Sequence, residues 1–340
     1  MISINDKTIE EIEELFKEKS YQKFRAKQIF RSLHINRLND FDQMTDLPLA
    51  MREELKKDFK IDGLKVLKTY ESKVDSTKKY LLELDDKNIV EAVYMDYNNR
   101  STICISSQVG CRMGCTFCAS TKKGLTRNMT VSELIEQVYL LERLNEPISN
   151  IVIMGIGEPL DNFSNIKKFI EVITDPKGRN LSHRSITLST SGLSPKIKEL
   201  ADTGLDVNLA VSLHYADDKK RAQYMPVAKR YAIKSLIEAT DYYFDKTGRR
   251  VSFEYVVIDK VNNLNEDVEN LHGLLFGKNV HINLIPLNPI EEFDHKKPGA
   301  RVLEDFKERL TRRGLNATIR RSMGQDIDAS CGQLRNNYAR

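Results

Sequence analysis

Three of the five cysteines fall within eight residues, in Gly110-Cys111-Arg112-Met113-Gly114-Cys115-Thr116-Phe117-Cys118. The Cys-x3-Cys-x2-Cys spacing puts three thiolates on one loop, one ligand short of a closed site. Structural zinc takes four Cys or His ligands, and a conventional [4Fe–4S] cluster takes four cysteines. The nearest downstream candidates are only His183 and Cys331. Two chemistries therefore fit: a zinc completed by a distant residue, or an iron–sulfur cluster with one iron left open. Gly110 and Gly114 suit a backbone wrapped closely around an inorganic core, because glycine accepts positive φ and carries no side chain.

An open iron is useful where another molecule must coordinate it and receive an electron. With Phe117 in the aromatic slot, the spacing resembles the Cys-x3-Cys-x-aromatic-Cys motif of the radical SAM superfamily. There the amino and carboxylate groups of S-adenosyl-L-methionine take the open position. The resemblance implies that Cys111, Cys115 and Cys118 are the ligands of a [4Fe–4S] cluster.

These residues need a scaffold. A chain of 340 residues, 40% hydrophobic and 30% charged, suits one large globular domain and a small one. The first residues lack a basic-then-apolar leader, and no stretch approaches the roughly 18 apolar residues of a membrane helix. A cytoplasmic protein without a membrane partner is expected. Cysteines that are clustered and odd in number argue against a secreted disulfide framework. The net charge of +4 says little, but Lys219-Lys220-Arg221, Lys229-Arg230, Arg249-Arg250, Arg312-Arg313 and Arg320-Arg321 offer either a phosphate-facing surface or ordinary solvated faces.

Residues 1–62 read as a helical N-terminal domain, with apolar residues at helical spacing from Ile9 to Phe59 and Asn5 or Thr8 as the first cap. Residues 63–98 change to a period of two and read as a linking β-hairpin region. From 99 to 340, strand-like runs near 102–107, 150–154, 185–189, 207–213, 251–257 and 280–285 alternate with helical stretches. Six βα units in series predict an α/β fold, an incomplete (β/α)6 barrel with a parallel sheet. Chemistry in such barrels collects at the C-terminal strand ends. There lie the cysteine loop, Gly155-Ile156-Gly157-Glu158-Pro159, Ser189-Thr190-Ser191-Gly192, Ser212-Leu213-His214 and Pro286-Leu287-Asn288-Pro289. Gly-Glu-Pro offers carbonyls and a carboxylate to an amino group, and Ser and Asn offer partners to ribose hydroxyls and a carboxylate.

Two cysteines stand apart. Cys104 lies on the strand feeding the cluster loop, and Cys331 lies in Asp326-Ile327-Asp328-Ala329-Ser330-Cys331-Gly332-Gln333-Leu334, a stretch of loop-like composition. Together with Gly110–Ser120, Met154–Pro159, Ser189–Gly192, Ser212–His214 and Asn283–Pro289, these segments resemble the radical SAM adenine methyltransferases of the RlmN and Cfr group over nearly the whole chain. The resemblance implies that Cys331 carries a methyl group, that Cys104 resolves a covalent intermediate, and that Glu91 is the general base. It implies cofactor contacts from Gly157, Glu158, Ser189, Ser212, Leu213, His214 and Asn288. Ser330 departs from the usual Ala. By its strand pattern alone, Glu91 would face solvent.

The implied function is methylation of carbon 2 of adenosine in 23S rRNA and tRNA, with carbon 8 as the Cfr alternative; Pro159 is typical of the former group. The implied cycle uses two S-adenosyl-L-methionine molecules per turnover. One methylates Cys331 and the other yields the radical that activates that methyl for addition to the base. A disulfide between Cys331 and Cys104 then releases the product. An electron donor such as flavodoxin or ferredoxin and a monomeric state complete the expectation, against a non-catalytic zinc-dependent RNA-binding protein as the rival class.

Overall fold

The computed structural model describes residues 1–97 and 100–335. A short strand β1 (Ile2–Ser3) leads to α1 (Ile9–Glu18), which starts at a reciprocal cap: the Glu11 N–H donates to the Thr8 hydroxyl and the Thr8 N–H to the Glu11 carboxylate. Helices α2 (Lys23–His34) and α3 (Leu49–Asp58) pack on α1 around Ile12, Phe16, Phe30, Leu33 and Leu55. Strand β2 (Phe59–Lys60) pairs in parallel with β1 and ties the two ends of this unit together.

The chain then enters a ten-stranded sheet. Strands β3 (Lys65–Glu71), β4 (Thr77–Glu83) and β5 (Ile89–Asp96) are antiparallel, and β5 pairs antiparallel with β6 (Ser101–Cys104). The hairpin strands thus continue directly into the barrel sheet. A separate small hairpin, β7 (Gln108–Gly110) with β8 (Leu125–Asn128), frames the cysteine loop. Next come α4 (Val131–Leu144), β9 (Asn150–Ile153), α5 (Phe163–Thr174), β10 (Ile186–Thr190), α6 (Ser194–Ala201), β11 (Asn208–Ser212), α7 (Asp218–Tyr224), α8 (Ile233–Thr247), β12 (Val251–Val257), α9 (Asn265–Leu275), β13 (Val280–Pro286), α10 (Ala300–Arg312) and β14 (Ala317–Ile319). The order β14-β13-β12-β11-β10-β9-β6-β5-β4-β3 runs in parallel from β14 to β6, so the barrel stays open between β14 and β3.

The expected incomplete (β/α)6 barrel is present, with one parallel strand more than the pattern announced. β14 has three residues, too few to show a period, and is recruited by pairing with β13. Strand β6 ends earlier than expected because Ser106 leaves the ladder: its hydroxyl donates to the Glu91 carbonyl and accepts the Ile156 N–H. Alternate residues of the strands, among them Ile103, Ile151, Leu188, Leu209 and Phe253, pack beneath the helices in one continuous core. The opposite residues face the lumen. Among the described residues no helix is long and apolar enough to cross a membrane.

The N-terminal unit is fastened to the barrel through α4. His34 Nδ1 lies 3.0 Å from the Tyr139 hydroxyl, and the buried Glu142 carboxylate accepts from both Arg37 and Arg179. Complete burial pushes the His34 imidazole from 6.5 down to about 3. Its charged form is thus disfavoured in the fold, so its contribution to stability is complete above pH 6.5 and is lost as pH falls towards about 3. We expect His34→Gln to flatten this stretch of the stability profile, the parent losing up to about 1.4 kcal/mol more per pH unit in urea unfolding. Equal slopes in the two proteins would show that His34 ionises freely in the folded state.

Candidate active site

The cysteine loop is the head of the β7–β8 hairpin. Its backbone turns through positive φ at Gly110 (77°) and Gly114 (71°), and the Cys111 N–H closes it onto the Gly124 carbonyl at 2.9 Å. Cys111, Cys115 and Cys118 line one cavity of about 150 Å³ at the barrel mouth, roughly ten times the space that one water needs. Burial pushes Cys111 up to about 12 and raises Cys115 and Cys118 as well. Such thiols stay protonated until a metal takes the proton's place. No three His, Cys, Asp or Glu side chains among the described residues lie close enough to share one metal ion. A zinc needs its donors around a point, whereas a cubane takes each thiolate on a separate iron and needs them around a cavity. The donor set therefore fits a cluster.

After β9 the chain makes its Gly155-Ile156-Gly157-Glu158 turn against this loop. Gly157 has φ 111°, and a Cβ there would lie 2.6 Å from Gln108 Cβ and Ser107 Oγ. Only a residue without a side chain fits. Gln108 accepts the Glu158 N–H at 2.9 Å, so turn and hairpin hold each other. The Glu158 carboxylate accepts backbone N–H groups of Leu160 (3.1 Å) and Ser191 (2.7 Å), while burial raises its pKa. It joins the ends of β9 and β10.

Gly157, Glu158, Ser189, Ser212, His214 and Asn288 line the same cavity as the three thiols. His214 Nδ1 accepts the Val256 N–H at 3.0 Å, and burial lowers its pKa to about 3, so the ring is neutral with its proton on Nε2. Leu213 is placed differently: its side chain belongs to the main core, and only its backbone reaches the strand end.

Cys331 lines this cavity and also a second, smaller one of about 40 Å³ that contains Cys104. Residues 227 apart in the chain are thereby joined at one site (331 − 104 = 227). The disulfide expected between them is not formed; all five cysteines are free. Burial pushes Cys104 up to about 12, with the Cys331 thiol raising it further and Arg320 pulling the other way. Asn288 donates to the Cys331 carbonyl at 3.0 Å.

Glu91 lies on the lumen side of β5, on the face that carries Val93, the cross-strand neighbour of Cys104. It is fully buried, not solvent-facing, because the opposite face of β5 packs under the helices while the segment around Cys331 covers this one. Its carboxylate pairs with Lys79 at 3.1 Å and accepts the Arg335 N–H at 2.7 Å.

Three residues take places at the site that the sequence did not assign to them. Arg320, just after β14, lines both cavities and pairs with Glu254 at 3.4 Å. Arg221, read within a basic run, is fully buried and donates to the carbonyls of Ser191, Ser212 and Leu213; it faces backbone, not phosphate. Lys79 had a signal available, since Lys78-Lys79 in a strand sends one ammonium to each face.

The Radical SAM superfamily profile matches residues 105–275, and that of the ribosomal RNA large subunit methyltransferase N-terminal domain matches residues 2–61. A probable dual-specificity RNA methyltransferase RlmN of Lachnoclostridium phytofermentans is 48% identical over 99% of this chain and 95% of its own length. The chain belongs to the RlmN family of the radical SAM superfamily. A relative of the same name from Finegoldia magna is 45% identical over 99% of this chain and 97% of its own. A radical SAM methyltransferase structure from Sphaerobacter thermophilus superposes with a TM-score of 0.94 at 38% identity, covering 99% of this chain and all of that one. The chain is accordingly a radical SAM methyltransferase, and family membership implies a [4Fe–4S] cluster and S-adenosyl-L-methionine as its cofactors.

Gly157→Ala should leave the protein folded but weaken S-adenosylmethionine binding by about tenfold or more, since the turn must shift away from Gln108. Equilibrium dialysis checks this, and unchanged affinity would place the cofactor away from the turn.

Proposed function

We propose that this chain methylates carbon 2 of adenosine in 23S rRNA and tRNA through a methyl-bearing Cys331 and a transient covalent link to the RNA. The reading is supported by the dual-specificity RNA methyltransferase names of its relatives and carried by one observation: Cys331 borders both the three-thiol cavity and the cavity of Cys104. A sulfur in that position can collect a group on one side and be relieved of it on the other.

Carbon 2 of adenine is neither acidic nor nucleophilic, so direct displacement on S-adenosylmethionine is closed to it. Cys111, Cys115 and Cys118 would hold the cluster, with Gly157, Glu158, Ser189, Ser212, His214 and Asn288 around the nucleoside cofactor. Of Leu213, only the backbone would serve. Once bound, cluster and cofactor supply a methyl group, a hydrogen-abstracting carbon radical, and the donor and acceptor of single electrons. Two cofactor molecules are used per turnover. Cys331 Sγ accepts the methyl and presents its carbon to the base. Glu91 takes the proton that leaves carbon 2. The Cys104 thiolate then attacks Cys331 Sγ: the S–S bond forms, the S–C bond breaks, and its electron pair stays on the departing carbon, which gains a proton to become methyl. Burial favours the Cys104 thiol, and Arg320 in the same cavity opposes it by favouring the anion.

Residues 1–62 act in this reading as the RNA-gripping domain, 63–98 as the link and 99–340 as the catalytic barrel. Lys27 and Arg31 stand exposed on α2. The protein works as a cytoplasmic monomer with a flavodoxin or ferredoxin as reductant.

The decisive test compares two variants with RNA, reductant and S-adenosylmethionine on denaturing gels. Cys331→Ala should give neither product nor adduct, whereas Cys104→Ala should accumulate a protein–RNA band that nuclease removes. Adducts from both, or from neither, would sink the division of labour. Mass spectrometry of product nucleosides should show 2-methyladenosine; the 8-methyl isomer alone would reverse the regiochemistry. For the RNA grip, Lys27→Glu with Arg31→Glu should weaken RNA binding and lower its salt slope by about one to two, which titrations at several salt concentrations would reveal.

A further inference from the structure

Glu91 and Lys79 face the lumen from neighbouring strands. In the β4–β5 register Lys79 sits opposite Val93 and Leu81 opposite Glu91, so the two charged residues are diagonal neighbours on one face. Both are buried, Glu91 completely and the Lys79 side chain to 6% exposure. A buried carboxylate needs an opposite charge and well-made hydrogen bonds, because removing one partner of such a pair leaves an uncompensated charge.

The pair also reaches across to the segment that carries Cys331. Lys79 Nζ donates to the Asp328 carbonyl at 3.2 Å, three residues before Cys331. The Arg335 N–H donates to Glu91 at 2.7 Å, four residues after it. The ammonium and the carboxylate therefore hold the two flanks of the methyl-carrying cysteine. The β3–β4 turn reinforces the seat: Ser72 Oγ and the Lys73 N–H donate to Asp326, and the Gly324 N–H donates to Asp75.

We propose that Lys79 is a positioning residue for the methylation reaction: its ammonium fixes the Glu91 carboxylate and ties it to the Asp328 carbonyl, so that base and methyl-carrying cysteine meet the same adenine in register. This rests on Glu91 being the base. The charge does the work, and the Asp328 contact transmits it to the loop. An arginine can make both contacts; a glutamine keeps a donor but loses the charge.

The test uses RNA carrying deuterium at carbon 2 of the target adenosine and full-length, cluster-loaded protein with Cys104→Ala, so that the adduct accumulates. Deuterium retained per adduct is read by mass spectrometry after nuclease digestion. This ratio does not depend on how much protein folded. Lys79→Gln and Lys79→Met should still form adduct but lose the deuteron about tenfold to a hundredfold more slowly than the Cys104→Ala parent, and Lys79→Arg should recover most of the rate. Deuteron loss at the parental rate in the Gln and Met variants would overturn the proposal. Absence of adduct in every Lys79 variant would also overturn it, since Lys79 would then act before the base does. Glu91→Gln separates the two readings: parental loss there refutes Glu91 as the base, while retention there with normal loss in Lys79→Gln refutes only the role of Lys79.

Discussion

The site depends on where residues 322–335 lie down. This segment has almost no regular structure, so its backbone polar groups must find partners elsewhere. It finds them on functional elements: the Gly332 carbonyl accepts the Ala119 N–H at 2.8 Å, the Leu334 carbonyl accepts the Ser120 hydroxyl at 2.8 Å, and Asn288 holds the Cys331 carbonyl. Gly324 approaches Thr77 so closely that a Cβ would meet its Cγ2 at 2.8 Å. Cysteine loop, the end of β13 and the antiparallel hairpin thus converge on one irregular stretch, which leaves Cys331 bordering both cavities.

An open barrel makes this geometry available. With β14 and β3 at its edges, the sheet does not close on itself, and the lumen is filled by polar and charged groups that would be costly if unpaired. The main ones have partners: Glu254 with Asn283 and Arg320, Glu158 with two backbone amides, and Arg221, through Nε and Nη2, with three carbonyls. Arg221 is deeply buried, which lowers its pKa to about 10, and it staples the ends of β10 and β11 where their serines border the three-thiol cavity. Rigidity at the mouth is achieved with charged side chains spent on backbone.

The sequence by itself determined what depends on near neighbours. Three thiols at positions 111, 115 and 118 share a loop whatever the rest of the chain does, and the missing fourth ligand was legible in their spacing. Period-two and period-3.6 patterns located most of the helices and strands, and Thr8 was one of two candidates for the first cap, because each of these is decided within one or two turns of chain. Strand ends followed from the strands, so the polar turns at the barrel mouth could be named. Motif resemblance then supplied expectations that no local pattern carries, the roles proposed for Cys104, Cys331 and Glu91.

Tertiary structure decided the rest, and the reason is that burial and pairing belong to the sheet order and not to the strand. Glu91 has the alternation of a solvent-facing residue, yet both faces of β5 are covered, one by helices and one by a segment over 230 residues later. Arg221 and Arg320 read as surface charge, yet Arg221 lies inside and Arg320 is half-buried against both cavities, since a basic pair does not say which way the helix or strand end will turn. β14 is too short to announce itself and exists only because β13 offers a free edge. The meeting of Cys104 with Cys331, and of Lys79 with Glu91, follows from register across strands and from the path of the last residues, neither of which any single stretch of sequence records.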